Sequence, residues 1–326
     1  MGAPFNGQLM DALATVLATD TATGRAILGW AGDPYADALM MRLGGGLNAL
    51  VRAGQLPRLA ACYPPNPAPD DAILAAELTR ALADDRLLDW LASAPQTNEV
   101  ARSGVLMAGM LAVAQATGLP LALFELGASA GLNLNLDRFG YDLGGLRCGD
   151  LASPLQLAPA WKGPPPPDVP VNVVARRGVD LNPLDASDAA TQARLLAFVW
   201  PEQLARIERL QAALDIAARF PPPLEKADAA NWVEANIRPA PGVTTLVYHS
   251  IAQQYFPSAV QARIAAHLEK VGTAASAAAP LAWLRYEVDT PEEAVAPSLR
   301  LRLWPGGDHL LASAHPHGAS VRWTGL

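Results

Sequence analysis

The chain has 326 residues, enough for one large domain or two ordinary ones, and at 51% hydrophobic residues it can bury a sizeable core. Its net charge of −7 is spread out with no Lys/Arg-rich run, which argues against nucleic acid and leaves small molecules or proteins as partners. Cys62 and Cys148 are too few and too far apart for a disulfide framework or a zinc cluster; the opening residues lack a basic signal region, and the most apolar stretch, Leu106–Leu123, is broken by Gly, Gln and Pro, so a cytoplasmic chain without a membrane span is expected.

Residues 1–117 read as a helical cap or subdomain. Ala, Leu and Met recur at helical spacing over Tyr35–Arg52, Asp70–Leu91 and Glu99–Thr117, while Val and Ile are sparse. At Leu119-Pro120 the texture changes to short apolar segments alternating with longer amphipathic ones, the pattern of an α/β domain over 118–326. Strands are predicted at Leu121–Leu126, Val171–Asp180, Val243–His249 and Leu281–Val288. A closing antiparallel hairpin is predicted from Leu299–Trp304 and His309–Ala314. Helices fill Ala190–Phe198, Pro201–Arg219, with Pro in its first turn, and Ser258–Val271. Between them, about 139–170 reads as an irregular Pro-rich surface insertion, because Pro164–Pro167 continues neither helix nor central strand.

The most informative segment is Glu125-Leu-Gly127-Ala128-Ser129-Ala-Gly131-Leu-Asn133. A strand ends in an acid, a turn of small residues follows, and a helix is expected to open there. Small residues let a ligand approach the backbone, and a helix start offers free N–H groups. The bland reading is a tight strand-to-helix turn with no ligand. E-x-G-x-S-x-G resembles the first motif of class I methyltransferases, with Ser129 in place of the middle Gly. The same residues spell G-x-S-x-G, the nucleophile elbow of α/β-hydrolases, where Ser129 would act with Asp289 and His309.

Three features favour the methyltransferase reading. A hydrolase elbow needs several strands before it, and the preceding chain reads as helical. Gly44-Gly45-Gly46 has no His beside it to make an oxyanion loop. The next strand ends in Gly178-Val-Asp180-Leu-Asn182-Pro183, which resembles the second methyltransferase motif, where the acid accepts hydrogen bonds from the ribose hydroxyls. The Pro-rich insertion accounts for a spacing longer than the usual ~20 residues.

The resemblance implies a Rossmann-like fold, mostly parallel, with S-adenosylmethionine held by Glu125, Gly127, Ala128, Ser129, Gly131 and Asp180. It places Asp228 near the adenine amino group, against the plain alternative of a helix N-cap. His249, with Tyr248, follows the strand that faces the crevice. It is a candidate general base, weighed against a hydrogen-bonded structural imidazole. A serine hydrolase and a non-catalytic nucleoside- or partner-binding protein remain the alternatives.

Gln96-Thr97-Asn98-Glu99, with Arg102, is a polar cluster that reads either as pocket lining or as helix capping. His315-Pro-His317 invites a metal reading but lacks further ligands at zinc-like spacing. The whole chain also resembles a bacterial family of uncharacterised proteins, through Glu125–Asn133, Gly178–Asp185, Trp200–Gln203, Gln96–Glu99 and Tyr248–Ser250. That family is thought to have a methyltransferase-like fold and brings no established activity.

Overall fold

A computed structural model describes residues 3–326. Six helices come first: α1 (Pro4–Val16), α2 (Ala22–Leu28), α3 (Leu39–Arg52), α4 (Pro57–Ala60), α5 (Asp71–Ala81) and α6 (Leu87–Leu91). A 3-10 turn, Val100–Arg102, leads into α7 (Ser103–Thr117) and β1 (Leu121–Leu126). A 3-10 segment, Leu132–Arg138, precedes the short strands β2 (Gly140–Leu143), β3 (Leu146–Gly149), β4 (Gln156–Leu157) and β5 (Ala160–Lys162). Then come β6 (Val173–Asp180), α8 (Ala189–Ala197), α9 (Leu204–Arg219), β7 (Leu224–Lys226), α10 (Ala229–Asn236), β8 (Thr244–Ser250), α11 (Ser258–Gly272), β9 (Leu281–Glu287), β10 (Ser298–Trp304), β11 (Asp308–Ala314) and β12 (Ser320–Trp323).

The chain divides into two compact units. The first runs to Thr97 and takes in Asp188–Gln211. It is helical, with a leucine core in which Leu9 and Leu13, Leu43 and Leu47, and Leu74 and Leu78 are fully buried pairs one turn apart. The buried Asn48 on α3 donates to the carbonyls of Ala197 (2.9 Å) and Val199 (3.0 Å), satisfying the free end of α8.

The second unit is Asn98–Ser187 with Ala212–Leu326. It holds α7, so the helical unit ends earlier than the expected residue 117. Every residue of α7 from Ser103 to Ala114 is buried. A helix apolar all round needs partners on all sides, and this one packs against β9 and β10. The window Val100–Thr117 is apolar and long enough to cross a membrane, yet 78% of it is buried inside the protein.

The main sheet has nine strands in the order β5-β12-β11-β10-β9-β8-β1-β6-β7. From β7 to β9 all pairs are parallel; β9 through β12 form an antiparallel meander that includes the expected hairpin. β1 is laid first, β6 and β7 add on one side, and β8 and β9 on the other. The order therefore reverses at β1, where open α/β sheets leave a crevice beyond the carboxyl ends of the strands.

The insertion is more ordered than its prolines suggest. β3-β2-β4 make a second sheet, and β5 pairs with β12 at the edge of the main one. Gly144 and Gly145 both take positive φ (67° and 95°) and make the two-residue turn between β2 and β3. α9 begins at Leu204 rather than at Pro201; the Trp200–Gln203 segment is a turn closed by Gln203 N–H to the Trp200 carbonyl.

Candidate functional site

The candidate site is assembled in the second unit. β1 ends between β6 and β8, with Glu125 opposite Gly178 on one side and Tyr248 on the other. The loop then alternates into the left-handed region at Gly127, Ser129 and Gly131 (φ 67°, 54° and 68°). Such alternation turns successive N–H groups inward. Their acceptors come from the protein itself. Gly127 and Ala128 donate to the Val179 carbonyl, Ser129 to Asp180 Oδ2 at 2.8 Å, and Leu132 to Asn98 Oδ1 at 3.0 Å. The expected helix start with free N–H groups is therefore a 3-10 segment whose first amide is already bonded.

The glycines answer to packing. A Cβ on Gly127 would lie 2.8 Å from Ala252 Cβ, and one on Gly131 would lie 2.9 Å from Pro222 and Leu224. The close approach that these positions permit is to neighbouring protein.

Three acids stand at or just after the carboxyl ends of three adjacent parallel strands. Glu125 is the next-to-last residue of β1 and is buried, its carboxyl pushed up to about 8 by burial and then by Asp180. Hydrogen bonding from Tyr248 and Asn133 and the charge of Arg102 oppose that rise. Its Oε2 has no hydrogen-bond partner among the described residues. Asp180 closes β6, with Oδ2 on Ser129 and Oδ1 accepting from the Asn182 amide at 2.8 Å. Asp228 follows β7 and caps α10, accepting from the Asn231 amide at 3.0 Å. Ala128 is buried beneath the loop.

Tyr248 and His249 point to opposite faces of the sheet, as consecutive strand residues must. Tyr248 is fully buried on the Glu125 side, its hydroxyl 3.3 Å from the Asn133 carbonyl. Burial and the neighbouring Glu125 hold it well above the ordinary phenol range. His249 lies on the other face with both ring nitrogens engaged. The Trp283 indole N–H donates to Nε2 at 3.1 Å, and Nδ1 meets Glu287 Oε1 at 2.6 Å. An indole only donates, so Nε2 is the acceptor and Nδ1 carries the proton. Glu287 Oε1 also accepts from the Ala252 and Gln253 amides. His249 thus has no free lone pair with which to act as a base, and it shares no substrate face with Tyr248. It borders a groove of about 360 Å³ with Gln253, Phe256, Gln261, Trp283 and Arg285.

Ser129, Asp289 and His309 are not brought together. His309 sits on β11, four strand steps from β1, or about 19 Å at the usual strand spacing. Asp289 is held by Arg285 and Arg300.

Sequence reasoning left another pair unassigned. Glu99 Oε1 caps the 3-10 turn through the Ala101 amide at 3.2 Å, and its Oε2 lies 3.5 Å from His317 Nδ1. Arg102, partly buried, donates to the carbonyls of Ser250 and Pro316. The signal in the sequence was the polar run 96–99; its partner more than 200 positions later was not readable. Among the described residues no three His, Cys, Asp or Glu are placed to hold a metal ion.

The family described as an uncharacterized protein conserved in bacteria (DUF2332) matches residues 1–323. The chain belongs to this family. No curated protein and no solved structure matches it.

Proposed function

We propose that the second unit binds S-adenosylmethionine along the carboxyl ends of β1, β6 and β7, and serves methyl transfer to a small molecule or a protein side chain. One observation carries this reading: Glu125, Asp180 and Asp228 stand at or just after the carboxyl ends of three adjacent parallel strands, β1, β6 and β7, beginning at the strand where the order reverses.

The residues fit such a group. Glu125 Oε2 is a buried acceptor without a donor, suited to a ligand ammonium. Each Asp180 oxygen holds one backbone N–H and keeps capacity for a ribose hydroxyl. Asp228 stands where a polar group would meet the adenine edge. When bound, the cofactor supplies an electrophilic methyl on a sulfonium. The protein contributes position and the exclusion of water.

A second reading has its own support. The amides of Gly127, Ala128, Ser129 and Gly131 are already paired within the protein and the glycines pack against protein, which favours a non-catalytic protein that binds a partner on the same fold. Calorimetric titration with S-adenosylmethionine and S-adenosylhomocysteine tests the cofactor. Binding that is weakened about tenfold or more in Asp180→Asn, one lost charge-assisted bond being ~1.5–3 kcal/mol, is the expected result. A folded protein that binds neither compound at millimolar concentration contradicts the cofactor assignment.

A further inference from the structure

We propose that His317, oriented by Glu99, is a proton-accepting site of the second unit, open to a substrate with an acidic proton such as a hydroxyl or thiol. The proposal goes beyond the cofactor reading and does not depend on it.

The imidazole is held on a braced turn. Tyr286 OH donates to the His315 carbonyl at 2.5 Å, and Arg102 Nε donates to the Pro316 carbonyl at 3.0 Å. Gly318 N–H returns to the His315 carbonyl at 2.6 Å. Gly318 has φ 68° and rests against the Ala101 carbonyl, which a Cβ would approach to 2.3 Å. No other residue type fits there. His315 plays a structural part: burial, then the neighbouring His317, holds it below the ordinary imidazole range, and its Nδ1 accepts from the His317 amide at 3.1 Å. Free rotation of the turn is blocked from both sides.

What this turn presents is one buried and one outward nitrogen. His317 Nδ1 is buried and faces Glu99, whose side chain is 4% exposed; the His317 side chain is 35% exposed. A separation of 3.5 Å is longer than a good hydrogen bond, as is common for base–orienter pairs before a substrate closes them. A carboxylate facing Nδ1 favours the Nδ1–H tautomer and leaves the Nε2 lone pair to accept. The location also suits chemistry. Asn98, next to Glu99, holds the first amide after the glycine loop, and Arg102 acts electrostatically on both Glu99 and Glu125. In the step itself, a bond forms between Nε2 and the substrate proton, the X–H bond breaks, and its electron pair stays on X. The imidazolium then returns the proton to water.

Site-resolved carbethoxylation with diethyl pyrocarbonate, followed by peptide mass spectrometry at roughly pH 8, where imidazoles are neutral, tests this on the full chain. His317 should be modified faster than the half-buried His309, and Glu99→Gln, which keeps an oxygen to cap Ala101, should slow it roughly threefold or more, because the carboxylate that fixes the Nδ1–H tautomer is gone. His317 that is inert, or equally reactive in Glu99→Gln, overturns the proposal. If that variant does not fold, imidazole 15N shifts of the unaltered protein decide. A neutral His317 protonated at Nδ1 supports the assignment, and one protonated at Nε2 refutes it.

Discussion

The second unit contains two histidine–glutamate pairs, and their comparison separates structure from chemistry. At His249–Glu287 both side chains are 2% exposed, the Trp283 indole fills the second imidazole nitrogen, and two backbone amides share the carboxylate oxygen. At His317–Glu99 the carboxylate is equally sheltered, but the imidazole is a third exposed. The residue types are the same. What differs is the supply of donors: the first pair is saturated and acts as a brace between β8, β9 and the loop at Ala252, while the second keeps an unsaturated outward nitrogen. An imidazole in an α/β crevice is thus better judged by who already bonds to it than by its position after a strand.

The largest way to separate the pairs is truncation of their carboxylates. Glu287→Ala leaves three donors, two of them buried, without an acceptor and is expected to cost about 3–5 kcal/mol. Glu99→Ala loses the cap on Ala101 and the contact with His317 but strands no cluster of amides on one oxygen, and is expected to cost less, about 1–2 kcal/mol. Urea denaturation checks both, and equal losses would erase the distinction.

Glu125 extends the comparison to a buried acid with no imidazole partner. Its proton is held in the folded chain up to about 8 but is lost from the unfolded chain in the ordinary carboxyl range. Between those limits unfolding releases a proton, so stability falls as pH rises across that window. Glu125→Gln should flatten that slope in denaturation curves collected from pH 5 to 8, and an unchanged slope would place the titration elsewhere.

Smaller changes sharpen the contrast. Trp283→Phe keeps the ring but removes the indole donor, at about 1 kcal/mol. It should also make His249 detectable by diethyl pyrocarbonate, since Nε2 regains its lone pair. Tyr286→Phe removes one of the two donors to the His315 carbonyl, leaving the Gly318 N–H, at a cost of at most about 1 kcal/mol. It is expected to speed amide exchange at Gly318, the residue closing that turn.

Much of the fold was legible in the sequence. Strong apolar runs at Leu121–Leu126 and Val243–His249 fell on β1 and β8, and the Pro305-Gly306-Gly307 turn marked the hairpin. Strands of two to four residues such as β3, β4 and β5 carry too few alternations to register, although Gly144-Gly145 was a hairpin signal hidden by the prolines that follow. α7 was grouped with the wrong neighbours because a helix buried on all sides has no polar face to show which layer it serves.

The site was legible in part. Residue types and spacing singled out the loop as a candidate, and the methyltransferase resemblance pointed to Asp180 and Asp228. They could not show that Asp180 bonds the loop itself, since that depends on how β1 and β6 end side by side. Nor could they reveal Glu287 and Trp283 around His249. That bonding follows from pairing between β8 and β9, which sequence periodicity does not encode.

The central claim is a nucleoside site at the ends of β1 and β6. Amide hydrogen exchange with and without S-adenosylhomocysteine addresses it most directly. The expected result is slower exchange at Ala128–Leu132 and at Leu181–Asn182, with α1 to α6 unchanged. Unaltered exchange at those segments, with ligand present at saturating concentration, would contradict it.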